Sequence, residues 1–211
     1  MSISHRRTGN GPVRHRRETG QSLVEFALVF PIFIAVVMGL IEFSFVFNGL
    51  LSIGHATRDA ALVAAEAGNS DASDCLILNQ VEKDISAPAN PTRITQVVIY
   101  RADQNGAVYL GQQNVYTRTG SKSCDLPDGS KLVVPYSVAT GADQSYPPSS
   151  RCSILSGTGG GCLAGHSSVD TIGVKVTYQH TWITPLASFL SLGGPGATLV
   201  QSNAMRMEPV L

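Results

Sequence analysis

The sequence predicts an α+β protein in which a long N-terminal helix crosses a membrane and packs on an antiparallel β-sheet domain. Three features predict it. Phe26 to Ile41 is sixteen residues without a charge. Ile94 to Tyr100 is rich in β-branched residues and is followed by Asn105-Gly106, a hairpin turn signal. Ile172, Val174, Val176 and Tyr178 alternate with Gly173, Lys175, Thr177 and Gln179, the pattern of a half-buried strand.

The chain begins with a basic leader. Residues 1–20 hold five Arg and one acid, net +4, whereas the rest holds ten Lys/Arg against fourteen Asp/Glu, net −4. No Lys or Arg occurs between Arg17 and Arg58. Positive charge on one side of an apolar run orients a single crossing with its N-terminus in the cytoplasm. The basic run sits directly before the span and lacks interleaved aromatics, so it is not read as a nucleic-acid-binding arm.

Leu23 to Phe47 is twenty-five residues interrupted only by Glu25, Glu42 and Ser44. At about 1.5 Å per residue this covers the roughly 30 Å hydrocarbon core, so the transmembrane part is placed at about 23–47. A secretory signal would have a shorter apolar region of about 7–15 residues. Gly54-His55-Ala56 is a weak cleavage site for one, giving a start at Thr57. Pro31 removes a backbone donor and permits a kink, and Gly39 permits close helix contact. Glu42 is read either as an interfacial acid or as a partner contact. Asn48 to Ala67 continues the helix with Leu and Ala formers, and Gly68-Asn69 stops it, giving a helix over 21–68. His55, Arg58, Asp59 and Glu66 are assigned to its solvated face.

A globular domain over 69–211 follows. A second helix is expected from about Ser73 to Ile85, ended by Pro88 and Pro91. Ala107 to Leu110 is the return strand of the first hairpin, Lys131 to Val134 is a short strand stopped by Pro135, and Ala197 to Met207 is the last strand. Gly141 to Gly165 reads as flexible surface loop. Its glycine run is not followed by Lys-Ser/Thr, which excludes a phosphate loop. Cys75, Cys124, Cys152 and Cys162 all follow the span, where an even number suggests disulfides. Three pairings are open, with Cys75–Cys124 and Cys152–Cys162 preferred. The lack of a C-x-x-C pair and of histidines other than His166 nearby disfavours zinc.

Gly20-Gln21-Ser22-Leu23-Val24-Glu25-Phe26 has the form of a prepilin junction: a short basic leader ending in glycine, with a glutamate fifth in the mature chain. With Ala27 to Pro31, Gly39 to Phe43 and Ala56 to Ala61, it resembles the TadE-like family, minor pilins or pseudopilins of tight-adherence (Flp-type) pili. The resemblance covers roughly residues 16–68, and Ala204 to Glu208 is of a type also seen there. It implies a type IV pilin-like fold and a prepilin-peptidase cut between Gly20 and Gln21. It also implies assembly through Glu25, Phe26 and Pro31. Implied partners are the peptidase, other pilins and minor pilins, and the inner-membrane assembly platform, besides the lipid bilayer.

Elementary electrostatics supports a role for Glu25. An ionised side chain costs about 2.5–3.5 kcal/mol at a bilayer centre, and less near the end of a span. A cut after Gly20 would create an α-amine about 6 Å along the axis from Glu25, four residues at 1.5 Å each. That amine, its neighbour's counterpart and the helix N-terminus all favour the carboxylate.

No catalytic constellation stands out: G-x-S-x-G and H-E-x-x-H are absent. His166, Ser167 and Asp170 read as a turn before the Ile172 strand, since nearness in sequence carries no weight for a triad. The expectation is a non-enzymatic minor pilin without cofactor, held in the bacterial inner membrane with its C-terminal domain outside and then placed in a surface pilus. The competing reading is an uncut, single-pass anchored adhesin or sensor.

Overall fold

The computed structural model describes residues 20–153, 168–185, 194 and 196–207. The chain divides into two units, Met1–Leu40 and Ile41–Leu211. One helix, α1 (Gln21–Ala67), runs through both.

In the first unit the described part is helix. It is apolar on every side, and Leu23, Val24, Phe26, Leu28, Val29, Ile32, Phe33, Val36 and Leu40 are all exposed. A soluble surface helix would show one apolar stripe and a polar back. Pro31 lies inside α1, which continues past it.

In the second unit α1 gains a buried face. Ile53, Ala56, Thr57, Ala60, Ala61, Ala64 and Ala65 are covered. Small side chains at 56, 60 and 64 repeat every four residues, so they share one side of the helix and let it approach the sheet closely. His55, Arg58, Asp59 and Glu66 are exposed on the other side. Gly68 ends the helix with φ +58, a left-handed position that glycine adopts without a Cβ penalty.

After α2 (Ser73–Asp84), strands β1 (Ile94–Ala102), β2 (Val108–Thr117), β5 (Ser137–Val138), β6 (Thr171–Thr181) and β7 (Gly196–Arg206) form an antiparallel sheet. The strand order is β5-β2-β1-β6-β7. A separate ribbon pairs β3 (Lys122–Asp125) with β4 (Lys131–Val134). Alternation decides the faces. Val97, Ile99, Val174, Val176, Tyr178 and Leu199 join α1 and α2 in the main core. Val98, Tyr100, Ala102 and Val115 form a smaller cluster. The layout is α+β, a long N-terminal apolar helix packed on an antiparallel sheet.

Cys75 of α2 is bonded to Cys124 of β3, which ties the ribbon to the helix. Cys162, expected to pair with Cys152, lies outside the described residues, as do His166 and Ser167. Two expectations are corrected. The return strand of the first hairpin extends to Thr117, well past Leu110. The described part of the 141–165 segment is not loose surface: Tyr146, Arg151, Cys152 and Ser153 are buried. A polar network holds it there.

Candidate assembly helix and its latch

The candidate site is built on α1. Gly20 precedes the helix and Gln21 opens it. Glu25 is exposed one turn later and accepts a hydrogen bond from Gln21 Nε2 at 3.0 Å. Phe26 packs on Phe30, with ring centres 5.1 Å apart. Gln21, Glu25, Phe26 and Pro31 thus lie within the first eleven residues of one helix. The leader before Gly20, residues 1–19, lies outside the described residues.

The second acid of the apolar run behaves differently. Glu42 is 8% exposed. Its carboxylate accepts from the Ile183 N–H at 3.1 Å and the Thr184 N–H at 2.8 Å, with His180 Nε2 3.1 Å from Oε1. Glu42 is therefore a latch that fixes the segment after β6 to the helix. Seven residues on, Gly49 lies under Leu199 of β7: a Cβ there would sit 3.3 Å from Leu199 Cδ1. Further along, Asn203 Nδ2 donates to Thr57 Oγ1 at 2.8 Å. These contacts give α1 a fixed rotation against the sheet and decide which side chains remain outward. Phe43, Phe47, Leu51 and Leu62 are left exposed. The carboxylate–imidazole latch joins residues 138 positions apart and has no signature in local sequence. The only hint was an acid at the end of an apolar run.

A second polar cluster holds the domain together away from α1. Arg151 is fully buried and donates to Ser73 Oγ (2.9 Å), to the Tyr146 carbonyl (3.2 Å) and to Asp74 Oδ1. Asp74 Oδ2 accepts from Tyr116 (2.6 Å) and Asn114 (3.0 Å). Asp170 accepts from the Tyr146 hydroxyl and the Cys152 N–H, both at 3.0 Å, and pairs with Arg101 Nε at 2.9 Å. Burial pushes the Tyr116 and Tyr146 hydroxyls well above the ordinary phenol range, so both remain protonated donors. These groups are spent on one another, which is a structural role. Among the described residues no cluster of His, Cys, Asp and Glu could hold a metal ion.

The helix and domain together define a class: a protein with one helix long and apolar enough to cross a membrane, running on into an α+β domain, and presenting side chains for packing. Residues 20–62 match the family model described as TadE-like protein. This agrees with the resemblance carried by Gly20 to Pro31 and associates the chain with tight-adherence pilus proteins. The match begins at the expected cleavage glycine, ends within α1 and includes none of the sheet. No curated protein and no solved structure matches the chain.

Proposed function

We propose that the chain is a minor pilin or pseudopilin of a tight-adherence pilus, cut by a prepilin peptidase between Gly20 and Gln21 and assembled through α1. The observation that carries this reading is the family-model match starting at Gly20, with an exposed Glu25 at the fifth mature position. In this reading the basic leader is cytoplasmic and the domain lies outside. The span is taken in this reading as Gln21–Leu40, the part of α1 before the protein-covered Glu42 and Gly49. Twenty residues at about 1.5 Å each still give about 30 Å. The new α-amine at Gln21 pairs with Glu25 of the same chain or of a neighbour, so cleavage licenses lateral association with other pilins and with the assembly platform. The subunit initiates, tips or regulates the filament, with no chemistry of its own.

N-terminal sequencing of protein recovered from cells tests the cut: a start at Gln21 is expected. Glu25→Ala is expected to insert and be cleaved yet fail to assemble, and normal piliation by that variant would refute the amine pairing. One observation favours a second reading, an uncut anchored adhesin or sensor. Gln21 Nε2 already gives Glu25 a partner without cleavage. An intact leader on mature protein selects that reading.

A further inference from the structure

We propose that the segment Trp182–Pro185 is an interfacial foot: latched by Glu42, it rests one end of the domain on the phospholipid surface where α1 leaves the bilayer. The proposal rests on the reading of Gln21–Leu40 as the membrane span. Its level follows from geometry. Glu42 lies two residues beyond Leu40 in the same helix, about 3 Å of rise. The Ile183 and Thr184 amides are bonded to its carboxylate, so they share that level.

The chemistry of the segment suits a headgroup–acyl boundary. Trp182 is the chain's only tryptophan. Ile183 is 52% exposed although it sits beside a buried hydrogen-bonded latch. No charged residue occurs from Thr181 through Met205. Phe43 and Phe47, exposed on the adjoining turns of α1, stack with ring centres 6.2 Å apart. Aromatic residues concentrate at this depth because their apolar bodies and polar edges suit it. Backbone donors are the usual obstacle to placing a loop against lipid. Here Glu42 takes up two of them, at Ile183 and Thr184.

The test uses the full chain reconstituted in vesicles of phosphatidylcholine and phosphatidylglycerol. Trp182 alone reports in tryptophan emission. Lipids brominated close to the headgroup are expected to quench it more than lipids brominated near the chain end, and aqueous acrylamide is expected to quench it little. Glu42→Ala is expected to reverse that balance by freeing the segment. Ile183→Ser removes an exposed apolar side chain while keeping the 183 amide and adding no charge beside Glu42, and is expected to lower bromolipid quenching on an intact fold. Quenching by acrylamide and not by bromolipid overturns the proposal. So does quenching by neither, which would mean that another protein surface covers the segment. A chain carrying Trp182→Phe with Phe33→Trp checks the span separately. If its emission is not quenched by the deep bromolipid, the span reading falls and the foot with it. If it is quenched and Trp182 is not, the foot alone falls.

Discussion

Removing the Asp74 carboxylate should be more damaging than removing the cation it pairs with. Arg151 is fully buried, and Asp74 supplies its only carboxylate partner among the contacts described above. Asp74→Ala leaves the guanidinium with one hydroxyl and one carbonyl, an uncompensated buried charge. Breaking a buried pair in this way costs about 3–5 kcal/mol. Arg151→Met leaves Asp74 with two donors, Tyr116 at 2.6 Å and Asn114 at 3.0 Å. It also removes Arg151 Nε, a buried nitrogen that has no partner among the described residues. An unsatisfied buried donor costs about 1–3 kcal/mol, so its loss offsets part of the damage. The expected order of destabilisation is Asp74→Ala above Arg151→Met. The double change Asp74→Leu with Arg151→Met falls below Asp74→Ala alone, because no charge is then stranded. Denaturant unfolding of the detergent-solubilised, oxidised chain, followed by circular dichroism, measures all three. A double variant as unstable as the sum of the singles would refute the stranded-charge argument.

Other outcomes follow from single contacts. Cys75→Ala with Cys124→Ala opens a loop with a sequence separation of 49, and the chain-entropy model puts the loss at about 4 kcal/mol. A melting temperature unchanged from the oxidised parent would contradict it. At Gly173 a Cβ would lie 2.3 Å from the Tyr100 ring, so Gly173→Val should displace that ring at a cost of about 1–3 kcal/mol, readable by thermal unfolding. Glu42→Ala should expose the Ile183 and Thr184 amides, and their hydrogen exchange should quicken roughly tenfold for each 1.4 kcal/mol of latch lost. Unchanged protection at both amides would show that the latch does not hold the segment.

What could be read from the sequence was whatever its own neighbourhood decides. The helix from Gln21 to Ala67 follows from a missing charge and from Gly68. Strands β1, β6 and β7 follow from period-two alternation or β-branched content. What could not be read depends on partners far along the chain. The middle of β2 contains Gly111, Gln112, Gln113 and Asn114, a poor strand by composition. Asn114 is nonetheless buried, because Asp74 and the Tyr146 carbonyl satisfy its amide. Tyr146 and Arg151 looked like surface in a Pro-, Ser- and Gly-rich stretch. Arg151 is held inside by Ser73 and Asp74, 78 and 77 positions away. Strand β3 is short and carries Lys122 and Asp125, and it is legible only through its pairing with β4.

The two glutamates of the apolar run show where that difference matters for function. In sequence Glu25 and Glu42 look alike: single acids near opposite ends of one hydrophobic stretch, seventeen residues apart. The fold separates them. Glu42 is consumed by two backbone amides and an imidazole, so its presence is explained by the domain alone. Among the described residues Glu25 has one hydrogen bond, an exposed one with Gln21, the residue that would become the new N-terminus. A surface contact of that kind is worth a few tenths of a kcal/mol, too little to offset the cost of a carboxylate near lipid. Among the described residues Glu25 has no charged partner, and the proposed function gives it one. In the proposed reading that partner is the amine that a cut after Gly20 would release at Gln21, in this chain or the next.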